Sequence, residues 1–239
     1  MRTVKIVDLY GEALGLNGDE RAVTAVTQRL SEMGYDFSVE EPGIGDPIDL
    51  ADADLVFITH GKPQTVSALS EHFCRYKDEI LRYIESGKPM VVTGSANLLF
   101  GKSFSMLDGK TYEGIGLFDC TAAEFDSLYV TDAVLEPQFA PGEKAFGCYY
   151  RCESVTWDKE PETPLFCVIK ANSGEGAVGK TEGVRYKNLF ATWCLGPILV
   201  RSPAMMREVL QKTLGEDYME TDFTLEEAAL RRVLQDLGQ

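Results

Sequence analysis

The sequence predicts an α/β protein of three layers: a mostly parallel central sheet flanked by helices, with added antiparallel β segments in the second half. Three observations carry that prediction. The first hundred residues alternate apolar strand patterns with amphipathic helical ones, an order that builds a parallel sheet through right-handed crossovers. The stretch "ADLVFITHG" is a continuous apolar run, as a strand buried on both faces requires. From Glu113 onward the pattern changes to β-rich stretches separated by Gly, Pro and Asp.

Taken in order, "TVKIVDLY" reads as a first strand. "GDERAVTAVTQRLSEMGY" reads as a helix capped by Asp19, with Ala22, Val23, Val26, Leu30 and Met33 as its apolar stripe and Gly34 ending it. "YDFSVEE" alternates like a short strand, and "ADLVFITHG" follows. A long helix is expected from about Gln64 to Glu85, with Val66, Leu69, Phe73, Tyr76, Ile80 and Tyr83 on one face. "EGIGLFDCTA", "SLYVTDAVLE", "FGCYYRCESVTW", "LFCVIKAN" and "EGVRYKNLFATW" are the β-rich segments of the second half. Helices are expected over about Pro203 to Leu214 and, as an amphipathic tail, over about residues 223–238. There Leu225, Ala229, Leu230, Val233 and Leu237 line one face, to dock on the body or to meet a partner. No linker or repeat interrupts residues 1–239, so a single domain is expected.

Bulk properties narrow the function. A formal charge of −15 and a pI near 4.6 argue against gripping nucleic acid or an anionic membrane. No run of 18 apolar residues exists, so no membrane span is expected. "MRTVKIVDLY" enters a strand pattern directly, without the features of a secretory signal, which makes the cytoplasm the expected compartment. Cys74, Cys120, Cys148, Cys152, Cys167 and Cys194 sit mostly in apolar or alternating segments, as buried thiols do. Cys148 and Cys152 have no second pair, and the histidines are His60 and His72 alone, so no metal site and no cofactor are expected.

Two motifs carry chemical suggestion. In "GKPMVVTGSANLLFGKSF" an apolar strand ends in Gly94-Ser95-Ala96 and a helical "NLLF" follows, the turn that lifts a reactive residue above the carboxyl edge of a sheet. Gly94 supplies no side chain there. Residues 174–181, "GEGAVGKT", match the phosphate-cradling pattern, with Lys180 as phosphate ligand and Thr181 as magnesium ligand. That chemistry needs a helix N-terminus after the loop. Gly183 and the alternating Val184, Tyr186 and Leu189 predict a strand instead, so a hairpin turn is the expected reading and nucleotide binding the lesser alternative.

"GDERAVTAVTQRLSEMGY", "GKPMVVTGSANLLFGKSF", "KTYEGIGLFD" and above all "EGVRYKNLFATWCLGPILVRSP" resemble the class I glutamine amidotransferases of the cobyric acid synthase and GatD type. The resemblance runs in order across nearly the whole chain. It implies a flavodoxin-like amidotransferase fold and, from the GatD branch, a Mur-ligase-like (MurT-type) partner subunit in cell-wall amidation. Members use an elbow Cys to attack the glutamine carboxamide, a His before "GP" for proton transfer, and backbone N–H groups for the oxyanion. Matched residue by residue, the elbow Cys falls at Gly94 and the His at Leu195. The oxyanion loop falls at Thr59-His60-Gly61, and an aromatic-Glu-x-His run falls at Cys148-Tyr149-Tyr150-Arg151. Gly has no nucleophile and Leu carries no proton, so the expectation is a binding or partner subunit that does not hydrolyse glutamine by the Cys–His route.

Other residues offer an alternative. Ser95 is either a nucleophile served by His60 or, more simply, a helix cap. His60 follows a strand at the edge where ligands gather, whereas mid-helix His72 is expected at the surface. Cys194 either presents a thiol or packs in the core. Arg151 either grips a carboxylate or phosphate in a remodelled pocket for a small polar ligand, or makes a surface salt bridge.

Overall fold

The computed structural model describes residues 2–171 and 178–238. Strands β1 (Val4–Asp8), β2 (Phe37–Glu40), β3 (Leu55–Ile58) and β4 (Met90–Thr93) run parallel. Helix α1 (Arg21–Glu32) joins the first pair, and helices α2 (Pro63–Arg75) and α3 (Lys77–Glu85) join the last. Then come β5 (Ser103–Ser105), β6 (Thr111–Glu113), β7 (Cys120–Pro137), β8 (Ala145–Trp157), β9 (Phe166–Ala171), β10 (Thr181–Glu182), β11 (Val184–Tyr186) and β12 (Leu189–Thr192). Helices α4 (Ile198–Arg201), α5 (Pro203–Leu214) and α6 (Thr224–Asp236) close the chain.

Among the described residues these strands make two sheets. The central one has the order β11-β12-β4-β3-β1-β2 and is parallel except for β11. The other has the order β10-β9-β7-β5-β6, with β8 paired to β7, and is antiparallel except where β5 meets β7. The expected mixed α/β architecture is thus present. One segment returns to the central sheet: "EGVRYKNLFATW" forms a hairpin whose second arm, β12, pairs in parallel with β4, a partnership that strand periodicity does not specify.

Alternation explains why the central strands are apolar throughout. Leu55, Phe57, Val91 and Phe190 face the cluster that packs under α1 and α5, while Val56, Ile58, Met90, Val92, Leu189 and Ala191 face the cluster under α2 and α3. Every one of these side chains is buried, so both faces are covered.

Four local expectations need correction. The predicted helix from Gln64 to Glu85 breaks at Tyr76, whose φ of −101° and ψ of 19° end α2 and start α3. His72 is buried rather than superficial, because it lies with Leu69 and Phe73 on the buried side of α2, where it hydrogen-bonds the Tyr10 hydroxyl at 2.8 Å. Asp19 does not cap α1; Glu20 holds that position without a side-chain cap bond. The 3₁₀ helix Gly94–Phe100 begins after Thr93 with no side-chain cap bond, so Ser95 does not cap it. Of the nucleotide motif, residues 174–177 lie outside the described residues. Lys180 and Thr181 lie in the β9–β10 hairpin, where the Lys180 carbonyl accepts from the Val168 N–H at 2.9 Å, and Thr181 enters a strand and not a helix.

The tail helix α6 lies on the body through only part of the predicted stripe, with Leu230, Val233 and Leu237 half-buried. Leu225 is 80% exposed and Ala229 is exposed, whereas Glu226 and Glu227 pair with Arg29 and Arg207. The anchor is the preceding Phe223, whose ring sits between the Arg29 guanidinium at 4.9 Å and the Arg207 guanidinium at 4.5 Å. Charge therefore docks this helix, with one buried aromatic as its pivot. Phe223→Ala removes about 2 kcal/mol of burial. Hydrogen exchange across α6 should quicken more than tenfold while that of β3 and β4 stays unchanged; an unaltered α6 would contradict this docking.

Candidate functional site

The carboxyl ends of β3, β4 and β12 bring His60, Gly94, Ser95 and Leu195 together. Gly94 takes φ +54°, a left-handed conformation suited to glycine. A Cβ placed there would stand 2.3 Å from His60 Nδ1 and 2.7 Å from Leu195 Cδ2. The space where an elbow side chain would stand is filled by these two side chains.

The histidine is fixed in place. Its Nδ1 accepts from the Ser95 backbone N–H at 3.1 Å and lies 3.2 Å from Ser95 Oγ. Accepting at Nδ1 puts the proton on Nε2 of a neutral ring. Burial drives the same way, pushing its pKa down to about 4. Nε2 has no hydrogen-bond partner among the described residues. His60, Ser95 and Leu195 are 3%, 1% and 0% exposed. Asn97 braces the turn by donating through Nδ2 to the Gly94 carbonyl at 2.9 Å and the Thr192 carbonyl at 2.8 Å.

Sequence reasoning missed two carboxyl groups here. Asp19, fully buried, accepts from the His60 N–H at 3.3 Å and from the Thr93 hydroxyl, while the Gly196 backbone also favours its charged form. Its loop closes on β3 as well, since the His60 carbonyl accepts from the Gly15 and Leu16 N–H groups at 2.9 Å each. Desolvation outweighs these donors and lifts the Asp19 pKa to about 6. Glu153, on β8, is likewise buried, faces the Ser95 hydroxyl and has its pKa raised by burial. Asp19 precedes an amphipathic helix, where a cap and a buried tether look alike. Glu153 had a weak signal, the one acid in β8.

The remaining candidates fall differently. Cys194 is fully buried with its thiol pKa pushed well up by burial, and it packs against Gly147, where a Cβ would come within 2.9 Å of its own. Leu195 makes a two-way backbone bridge with Cys148, at 2.8 and 3.2 Å. Gly61 follows His60 beside the Leu14 side chain. Arg151 is not on the elbow, because β8 carries it over the rings of Tyr129 and Tyr149, at 5.8 and 5.4 Å, where it lines a cleft that touches none of Gly94, Ser95, His60 and Leu195. Among the described residues no group of three His, Cys, Asp or Glu side chains is placed to hold a metal ion.

A parallel sheet with a tight turn after β4 and a second antiparallel sheet at its side is the architecture of a glutamine amidotransferase. A solved structure titled as that of a glutamine amidotransferase aligns with a TM-score of 0.54 and 16% identity, covering 87% of this chain and 98% of the other. The profile of the CobB/CobQ-like glutamine amidotransferase domain matches residues 23–202, and the chain belongs to that family. It is 24% identical over 221 residues to the lipid II isoglutaminyl synthase (glutamine-hydrolyzing) subunit GatD of Streptococcus pneumoniae, covering 90% of this chain and 83% of the relative. The GatD subunit of Staphylococcus aureus is 23% identical over 212 residues, covering 89% and 85%.

The raised Asp19 pKa has a signed consequence. The folded chain retains a proton that the unfolded chain loses, so this group's stabilisation is full below its ordinary pKa of 3.8 and is lost as pH rises to about 6. In thermal melts the stability gap between the wild type and Asp19→Asn should therefore narrow from pH 4 to pH 6. A gap independent of pH would contradict a buried carboxyl at this place.

Proposed function

We propose that this chain is a GatD-type amidotransferase-like subunit that does not cleave glutamine by the Cys–His route and serves as the non-hydrolysing member of a complex. Its proposed partner is a Mur-ligase-like subunit, and its proposed compartment is the cytoplasm. The observation that supports this most is the occupied elbow: His60 and Leu195 fill the volume where a Gly94 side chain would stand. A thiolate at residue 94 would need both the left-handed backbone and room that is taken. With neither nucleophile nor base at positions 94 and 195, only ground-state binding and oxyanion donors would remain, and these alone give slow chemistry.

The purified protein, alone and with its Mur-ligase-like partner, should release no ammonia from glutamine above background. Gly94→Cys should not create the activity and should cost about 2–4 kcal/mol in denaturant unfolding, from backbone strain plus overpacking. A stable Gly94→Cys variant with glutaminase turnover would overturn the reading.

A second reading has its own support, the Ser95 Oγ–His60 Nδ1 separation of 3.2 Å, which is the spacing of a nucleophile and its base. The burial of both groups and of Cys194 weighs against it. Glutamine turnover that disappears in Ser95→Ala or Cys194→Ala would establish it over the first.

A further inference from the structure

Away from the elbow, the two sheets leave a cleft of about 580 Å³ between β8, β9, β10 and the end of β12. Tyr129, Tyr149, Trp157 and Trp193 supply its aromatic lining. The two indoles meet edge to face with centroids 6.1 Å apart. Two cations, Arg151 and Lys180, also line it, and neither makes an ion pair with any described residue. In a chain with 38 acids against 23 Lys and Arg, two cations in one cleft with no ion pair among the described residues stand against the overall balance.

Trp193 is 6% exposed and forms part of the cleft wall. Arg151 is held over two tyrosine rings, so its fork is oriented before any ligand arrives. The cleft thus offers a guanidinium and an ammonium, both donors, beside flat apolar walls.

The acids in the cleft limit the ligand's charge. Glu160 is exposed at the rim, and Glu182 lies fully buried, its oxygens accepting from the Thr192 hydroxyl at 2.8 Å and the Trp193 backbone N–H at 2.7 Å. Their field opposes a dianion such as a phosphate monoester, while two cations still favour a single negative charge. We propose that this cleft binds a small carboxylate with a planar, aromatic body, its carboxylate on Arg151 with Lys180 nearby and its ring against the aromatic wall. This goes beyond the amidotransferase reading and holds whether or not the chain turns over glutamine.

The chain's two tryptophans both line the cleft, so tryptophan-selective fluorescence reports on this part of the molecule. Titration of the full chain with phenylacetate should give a saturable change. Benzyl alcohol, the same ring without the charge, should bind at least about tenfold more weakly, since a lost charge-assisted contact is typically worth a factor of ten or more. Arg151→Gln should weaken phenylacetate about tenfold or more, and Lys180→Gln, at an exposed position, should weaken it less and flatten its salt dependence. No saturable change with phenylacetate, or equal binding of benzyl alcohol, would overturn the proposal. So would unchanged affinity in a folded Arg151→Gln or, should that variant not fold, in Lys180→Gln.

Discussion

One buried carboxylate holds the reactive edge of this molecule together. Asp19 comes from the loop between the first strand and the first helix, yet it bonds the end of β4 through Thr93 and the loop after β3 through His60. Parallel strands have no hairpins to fix their carboxyl ends, so a polar tether buried among them sets the loops' relative height. Such a tether is demanding, because a buried acid without its donors would be strongly unfavourable. The positions of His60 and the Gly94 turn follow from it.

With that edge fixed, the fold and the chemistry separate. The amidotransferase architecture needs a sharp turn after the central strand, and a glycine at φ +54° makes it readily. It does not need the turn to carry a nucleophile. Here the imidazole comes from the neighbouring loop, accepts the Ser95 N–H and occupies the space above Gly94. The Ser95 N–H beside the vacant elbow is thereby engaged by the protein's own side chain. The aromatic cleft beside β8, lined by Arg151 and Lys180, lies apart from that turn.

Much of this was legible in the sequence, for identifiable reasons. Apolar runs such as "DLVFI" and "MVVT" have one physical use in a chain of this size, as strands covered on both faces, so the parallel sheet could be read directly. The proximity of Gly94 and Leu195 could be expected only from family resemblance, since periodicity says nothing of which strand ends meet. Burial of polar residues was the least legible. Asp19 looked like a cap, His72 like a surface residue and Ser95 like a cap, because local pattern cannot distinguish a polar group facing water from one facing another loop. Arg151 went astray for a related reason: strand alternation says that it shares a side with Tyr149, but not that this side opens into a cleft. The tail helix misled through Leu225 and Ala229, whereas its docking is carried in part by acids that meet Arg29 and Arg207.

The central claim is that the imidazole of His60 closes the elbow as a neutral, fixed group. The most direct test is nitrogen-15 NMR of the imidazole rings, simplified because the chain has two histidines. The account predicts that His60 is neutral at pH 7 with its proton on Nε2, titrates only near pH 4, and does not respond to millimolar glutamine. A His60 that titrates near its ordinary value of 6.5, or whose signals move on adding glutamine, would contradict a closed elbow and return this site to the catalysts.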